Sequence, residues 1–308
     1  MSIKLGLHTG PQEIAMAELK RLWKEGDEGG LHWISVWDHF YANPIEESKE
    51  PCFEGVAAMA ALAALTKNVR VGCLVFCTLF RSPGLLAKAA VTIDHLSDGR
   101  AELGMGAGWF QEEFEDFGYA FPPIGERLDQ LEEGLQVVRS LLRDDETNFD
   151  GRYYKLSNAV CTPKPVQKNL RIWVGGRGPK RTPRLAATYA DGFNVPYLAP
   201  EAFKEHNQVV TANCEKSGRD PGEIERTINV GFYMGADEQA AERNKKGMDR
   251  FDPLRRTGML SGTTAEVIDR IGEYEKAGAQ GLNVAIRPPV DWDAYHAYLE
   301  EVVPRFHT

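Results

Sequence analysis

Two side chains able to exchange protons stand side by side in the run Trp33-Ile34-Ser35-Val36-Trp37-Asp38-His39-Phe40. An imidazole titrates near neutrality, so His39 suits general acid–base work, and the carboxylate of Asp38 could bind or orient a ligand beside it. The β-branched and aromatic residues before them predict a strand. Neighbours on a strand point to opposite faces, so Asp38 and His39 share a face only where the strand breaks. A break at its carboxyl end, just before the loop of Asn43 and Pro44, is where α/β proteins place their sites. The plain alternative is a solvated acid and histidine at an ordinary strand end.

A second constellation is Gly175-Gly176-Arg177-Gly178-Pro179-Lys180-Arg181, which follows a predicted strand and opens a predicted helix. Glycines let backbone N–H groups approach an anion, and Pro179 suits a first helical turn. Arg177, Lys180 and Arg181 all stand where a helix end is already positive, an unfavourable placement unless an anion such as a phosphate is bound. The stretch Ala101-Glu102-Leu103-Gly104-Met105-Gly106-Ala107-Gly108 repeats glycine inside a predicted strand, which signals close approach of something: a flat ring or a neighbouring element. Arg287, just past the last predicted strand, could meet an anionic substrate or simply be solvated.

These groups need a scaffold. The chain has 308 residues, 43% of them hydrophobic, enough for a large core without metal or disulfide support. A net charge of -9 argues against nucleic acid and anionic membranes as partners. Five cysteines, with no zinc-binding spacing, suggest a reducing cytoplasm. The start of the chain lacks the pattern of a signal peptide, and no apolar run approaches the length of a membrane span.

Strands are predicted at Ile3–His8, Trp33–Phe40, Val69–Phe76, Ala101–Gly108, Arg171–Gly176, Gly192–Val195, Arg226–Gly235 and Gly281–Ile286. Helical spacing predicts helices at Pro11–Glu28, Phe53–Thr66, Pro83–Leu96, Gly125–Arg143, Pro179–Ala190, Pro200–Ser217, Glu238–Arg250, Thr263–Ala277 and Trp292–Val303. Asp150-Gly151 between aromatic residues predicts a small hairpin over Phe149–Tyr154, and between Phe251 and Gly262 the pattern lapses. About eight strands alternating with helices predict a (β/α)8 barrel, taken as a single domain over residues 1–308. The rival, an open doubly wound sheet, lacks a Gly-x-Gly-x-x-Gly after the first strand.

The ordered series Asp38-His39-Phe40, Phe80-Arg81-Ser82-Pro83, Ile93 to Arg100, Leu103 to Trp109, Gly151 to Tyr154, Pro163 to Gln167 and Val174 to Gly178 resembles the luciferase-like monooxygenase superfamily, in its branch that uses the deazaflavin coenzyme F420. The resemblance implies a (β/α)8 barrel with the cofactor ring across the carboxyl ends of the strands. Asp38 and His39 match the family's pair beside that ring. A non-prolyl cis peptide under the ring would fall at Leu74–Val75. Ala107 and Gly108 match backbone positions at the ring and linker, and Gly176, Arg177, Gly178 and Lys180 the region gripping the cofactor phosphate. Cys77 and Glu112 match further contact positions. Trp109 stands where the sugar-phosphate dehydrogenases of this branch have a catalytic glutamate, which points away from sugar-phosphate oxidation and towards His39 as proton donor or acceptor. The implied activity is hydride transfer between the deazaflavin and a small organic substrate, in a cytoplasmic homodimer. The alternatives are an FMN-dependent monooxygenase using reduced flavin and oxygen, and a non-catalytic flavin-binding barrel.

Overall fold

A computed structural model describes residues 2–42 and 49–306; the loop assigned to Asn43 and Pro44 lies outside the described residues. Eight parallel strands form the barrel: β1 (Lys4–Thr9), β2 (Trp33–Val36), β3 (Arg70–Cys77), β4 (Ala101–Gly106), β5 (Ile172–Gly175), β6 (Gly192–Pro196), β7 (Glu225–Met234) and β8 (Gly281–Ile286). Consecutive strands pair in chain order, and β8 closes the ring on β1, with Lys4 opposite Gly281 and Thr9 opposite Ile286. The apolar runs follow from this closure, because helices cover the outer face of strands whose inner face is filled. β8 (Gly-Leu-Asn-Val-Ala-Ile) is buried along its whole length.

The helices are set by local chemistry. Ser82 caps Pro83–Leu96 by accepting from the Leu85 N–H at 3.1 Å, and Pro83 takes the first turn, where its missing N–H costs nothing. Thr263 and Glu266 form a reciprocal capping box at the start of Thr264–Lys276. Ile124–Arg143 buries Leu131, Leu135, Val138 and Leu142 along one stripe. The Asp-Gly hairpin forms between Thr147–Asp150 and Lys155–Ala159.

The structure departs from the sequence reading in four places. The first helix starts at Met16, because the backbone around Pro11 to Glu13 pairs instead with Pro51 to Phe53, and Glu13 adopts φ 51°. β2 ends at Val36, before the chemistry-bearing residues. The stretch expected to lapse holds a one-turn helix, Pro253–Arg256, and a four-residue strand, Met259–Gly262, on the outer edge of β7. Both are too short to show a period. Gln111–Asp116, where no helix is predicted, is a short helix.

Tryptophan and charge fill the amino-terminal end of the barrel. The rings of Trp33 and Trp173 pack at 4.7 Å, and buried Glu102 accepts from the Arg70 guanidinium and the Trp173 indole. One layer higher, Asn229 Oδ1 accepts from Asn194 Nδ2 at 3.1 Å and Asn283 Nδ2 at 3.0 Å. Buried amides that satisfy one another in this way fix a register that an apolar layer would leave looser. Cys52, Cys73, Cys77, Cys161 and Cys214 are free thiols, and among the described residues no helix is long and apolar enough to cross a membrane.

Candidate active site

A cavity of about 530 Å³ opens at the carboxyl ends of the strands. Its walls differ in character. On the β3–β5 side Leu74, Val75, Gly106 and Gly175 make an apolar shelf; on the β6–β7 side Asn194 and Asn229 expose amides; across from these stand Asp38 and His39. The early end of β2 explains how adjacent residues reach one cavity: beyond Val36 the strand alternation no longer applies.

The shelf is built by β3. The Leu74–Val75 peptide is cis, and the β3–β4 register slips between Cys73 and Phe76. The Val75 side chain fills the space above β4 and β5, so a Cβ on Gly106 would lie 2.4 Å, and one on Gly175 2.6 Å, from its methyl carbons. The repeated glycines of β4 therefore admit the neighbouring strand's bulge, the second of the two explanations the sequence left open.

His39 is almost enclosed, with 10% of its side chain exposed. Its Nδ1–H donates to Glu113 Oε1 at 2.8 Å, and Glu113 Oε2 accepts the Phe40 N–H at 2.9 Å. Glu113 thus fixes both the tautomer and the tilt of the ring. Nε2 has no hydrogen-bond partner among the described residues, and the ring edge meets Trp109 at 5.6 Å between centroids. This leaves one imidazole nitrogen to exchange a proton with whatever occupies the cavity. Glu113→Gln should therefore cut kcat roughly ten- to a hundredfold with KM and cofactor affinity little changed, since an outer partner orients the acting group without touching the ligand. Steady-state kinetics with a cofactor titration checks this, and a loss confined to KM would refute it.

Asp38 is spent differently. Oδ2 accepts the Cys77 N–H at 2.8 Å and Arg81 Nη1 at 2.7 Å, while Oδ1 accepts Arg81 Nη2 at 2.9 Å. Burial opposes the charge on Arg81, but the Asp38 carboxylate outweighs it and raises the guanidinium pKa. The pair ties the end of β3 to the segment after β2. Burial likewise pushes the Cys77 thiol up, against a reactive thiolate.

His8, at the end of β1, also lines the cavity, and sequence reading passed over it as an ordinary strand residue. Its Nδ1 meets Ser35 Oγ at 2.9 Å and its ring stands edge-on to Trp37 at 5.0 Å. Burial, then the charges of Arg287 and His39, hold its pKa down to about 3. Burial also lowers His32, near the amino-terminal end, to about 4. Both rings are neutral when folded but accept protons near pH 6.5 when unfolded. Stability is full above about pH 6.5 and should fall by up to about 1.4 kcal/mol per pH unit for each ring as pH drops towards those values. Urea midpoints between pH 7.5 and 5 measure the slope; His8→Asn should make it shallower, and an unchanged slope would refute the assignment.

The remaining predicted residues divide. Leu74, Val75, Cys77, Ala107, Gly108, Gly176, Arg177 and Gly178 all line the cavity. Gly176 takes φ +147°, a conformation other residues avoid, and a Cβ on Gly178 would lie 2.7 Å from Thr182 Oγ1. Of the three cations in this turn, Arg181 is taken by Asp129 at 2.5 Å and by the Gly125 carbonyl at 2.9 Å. Arg177 and Lys180 have no side-chain partner among the described residues; Arg177 lines the cavity, and Lys180 is exposed just before the helix Arg181–Tyr189. Glu112 is not part of the cavity wall. It faces solvent 3.7 Å from Lys49, and its neighbour Glu113 is the one turned inward. The signal for that lay in Phe110, Phe114 and Phe117, whose helical spacing buries Phe114 and brings Glu113 in with it.

Known proteins share this arrangement of strands. An F420-dependent secondary alcohol dehydrogenase, solved with an F420–acetone adduct, superposes with a TM-score of 0.87 over 100% of both chains at 20% identity. The F420-dependent tetrahydromethanopterin reductase of Methanopyrus kandleri superposes at 0.84, also over 100% of both chains and at 20% identity. In sequence, an F420-dependent glucose-6-phosphate dehydrogenase of Gordonia bronchialis is 29% identical over 248 residues, which is 79% of this chain and 72% of the relative. The model of the luciferase-like monooxygenase family matches residues 1–251, a span that takes in the β3 bulge, the His39–Glu113 pair and the glycine-and-cation turn. On that match the chain belongs to the luciferase-like monooxygenase family.

Proposed function

We propose that the protein is a coenzyme F420-dependent oxidoreductase acting on a small organic substrate. The observation that carries the reading is one cavity with His39 Nε2 on one side and Arg177 in a glycine turn on the other, neither with a side-chain partner among the described residues. The residues present suit the cofactor. The apolar shelf of Leu74 and Val75, with Ala107 and Gly108 beside it, suits the flat face of a tricyclic ring. The amides around Gly176 and Gly178, with Arg177 and Lys180, suit its phosphate. The alcohol dehydrogenase, reductase and glucose-6-phosphate dehydrogenase to which the chain is similar are all described as F420-dependent.

When bound, the deazaflavin supplies or accepts the hydride. The chain's residues do the rest. His39 gives a proton at Nε2 to a substrate being reduced, or takes one from an alcohol being oxidised, and Glu113 stabilises the imidazolium meanwhile. Asp38 and Arg81 hold the shelf in place. Trp109 and Phe110, stacked at 5.4 Å, flank the histidine on the side of the mouth and limit water around it. A homodimer in the cytoplasm is the assembly and compartment that accompany this reading.

The test is a spectral titration with both cofactors. The deazaflavin should bind in the micromolar range or tighter and FMN far more weakly. Tight FMN binding without deazaflavin binding, together with oxygen consumption, would replace this reading with a flavin monooxygenase.

A further inference from the structure

The two asparagines of the β6–β7 wall carry hydrogen-bonding capacity that the fold does not use. Asn194 Nδ2 donates to Thr227 Oγ1 at 2.9 Å and to Asn229 Oδ1 at 3.1 Å, which spends both of its protons. Asn229 Oδ1 accepts that bond and a second from Asn283 Nδ2 at 3.0 Å, which fills both of its lone pairs. What remains is Asn194 Oδ1, an acceptor, and Asn229 Nδ2, a donor. Neither has a hydrogen-bond partner among the described residues, and neither is one of the partnerless atoms sealed away from solvent. The two residues are only 3% and 2% exposed and both line the main cavity, so these atoms are reached from the cavity.

The bonds already made limit how far apart they lie. The amides are joined at 3.1 Å and each is about 2.3 Å across, so the free oxygen and nitrogen are within roughly 8 Å of each other. Turning all the amides over together would exchange the roles and still leave one acceptor and one donor.

A buried polar atom left without a partner is costly, so the cavity favours a ligand that answers both. A carboxylate or phosphate brings acceptors alone and would set an oxygen against Asn194 Oδ1. A ketone answers only the donor, and a hydrocarbon answers neither. A hydroxyl does both, but two partners of one oxygen lie no more than about 6 Å apart. A planar amide edge, with N–H and C=O on adjacent atoms, reaches about 8 Å with a hydrogen bond on each side, which covers the whole permitted range. We infer that Asn194 and Asn229 form a seat for a neutral amide edge, as in a lactam, imide or ureide. The ligand's N–H meets Asn194 Oδ1 and its C=O meets Asn229 Nδ2. Two molecules can bring such an edge: the substrate, or the pyrimidinedione end of the deazaflavin ring. The second source rests on the cofactor reading above; the seat itself does not.

The test uses two pairs of probes followed by calorimetry. Deazaflavin-loaded protein is titrated with 2-quinolinone and with coumarin, which has the same shape but a ring oxygen in place of the N–H. Cofactor-free protein is titrated with a 5-deazaflavin and its N3-methyl derivative, which lacks the imide N–H. A preference of about tenfold or more for the N–H form in the first pair assigns the seat to the substrate, and in the second pair to the cofactor. Asn229→Asp at about pH 8 keeps the oxygen that Asn194 and Asn283 bond, but turns an acceptor into the cavity where the donor stood. It should weaken the preferred ligand by about tenfold or more. Equal binding within both pairs, no saturable binding of either N–H form, or full affinity in the folded Asn229→Asp protein would overturn the inference. The two pairs need no variant, so they decide even where Asn229→Asp does not fold. Repeating the first pair on cofactor-free protein separates the two readings. A lactam preference there without any deazaflavin binding discards the cofactor and keeps the seat; deazaflavin binding with no preference in either pair does the reverse.

Discussion

His39→Ala should lower turnover by roughly 10²- to 10⁴-fold while leaving the dissociation constant of the deazaflavin within about a factor of three. The expectation follows from how the ring is held. Nδ1 is committed to Glu113 at 2.8 Å, so the imidazole cannot swing to bind the cofactor without giving up that bond, and Nε2 is the face left to react. The shelf and the glycine turn that would grip the cofactor are separate from this ring, so removing it subtracts a proton and not a binding surface. Glu113, at 2% side-chain exposure, would lose one of its two donors but keep the Phe40 N–H, so the local fold should survive. Free imidazole should restore part of the rate, because the deleted ring leaves a space of its own shape. Stopped-flow hydride transfer measured with the variant, with and without imidazole, decides the matter. Unchanged turnover would leave the protein with another proton donor, no turnover in the parent protein would leave a non-catalytic flavin-binding barrel, and affinity lost in step with turnover would make His39 a cofactor contact.

Much of this was legible in residue types and order. The eight barrel strands were readable because burial on both faces writes itself as apolar runs such as Val71 to Phe76, a signal that needs no partner to interpret. The cis bond at Leu74–Val75 followed from the resemblance alone; nothing in the local composition demands it. What stayed hidden was pairing at long range. Asp38 is joined to Arg81, 43 positions away, and His39 to Glu113, 74 positions away. No periodicity reports such distances, so the resemblance points to Glu112, while the short helix Gln111–Asp116 turns its neighbour Glu113 inward. The turn at Gly175 had a similar fate: three cations read as one anion site, but Arg181 belongs to the helix Ile124–Arg143 through Asp129. Charge density is visible in sequence; which charges are already answered is not.

The same distinction governs Asp38, where the largest effect on stability is expected. Asp38→Ala should destabilise the fold by about 3–5 kcal/mol, because it strands a buried guanidinium and orphans the Cys77 N–H. Only 11% of the Arg81 side chain is exposed, and its other acid, Glu54 at 3.3 Å, is itself half exposed and can recover part of the cost. For a chain of this size the midpoint of thermal unfolding should drop by roughly 5–8 °C. A double substitution, Asp38→Asn with Arg81→Met, removes both charges and keeps an acceptor for the Cys77 N–H, and should return most of the stability. Its turnover then separates two roles that the single variant confounds. If the carboxylate serves to hold the end of β3, and with it the Leu74–Val75 shelf, the repaired protein should transfer hydride at close to the normal rate. If the rate stays low once stability has returned, Asp38 acts on cofactor or substrate directly, and the ion pair with Arg81 is only how it waits.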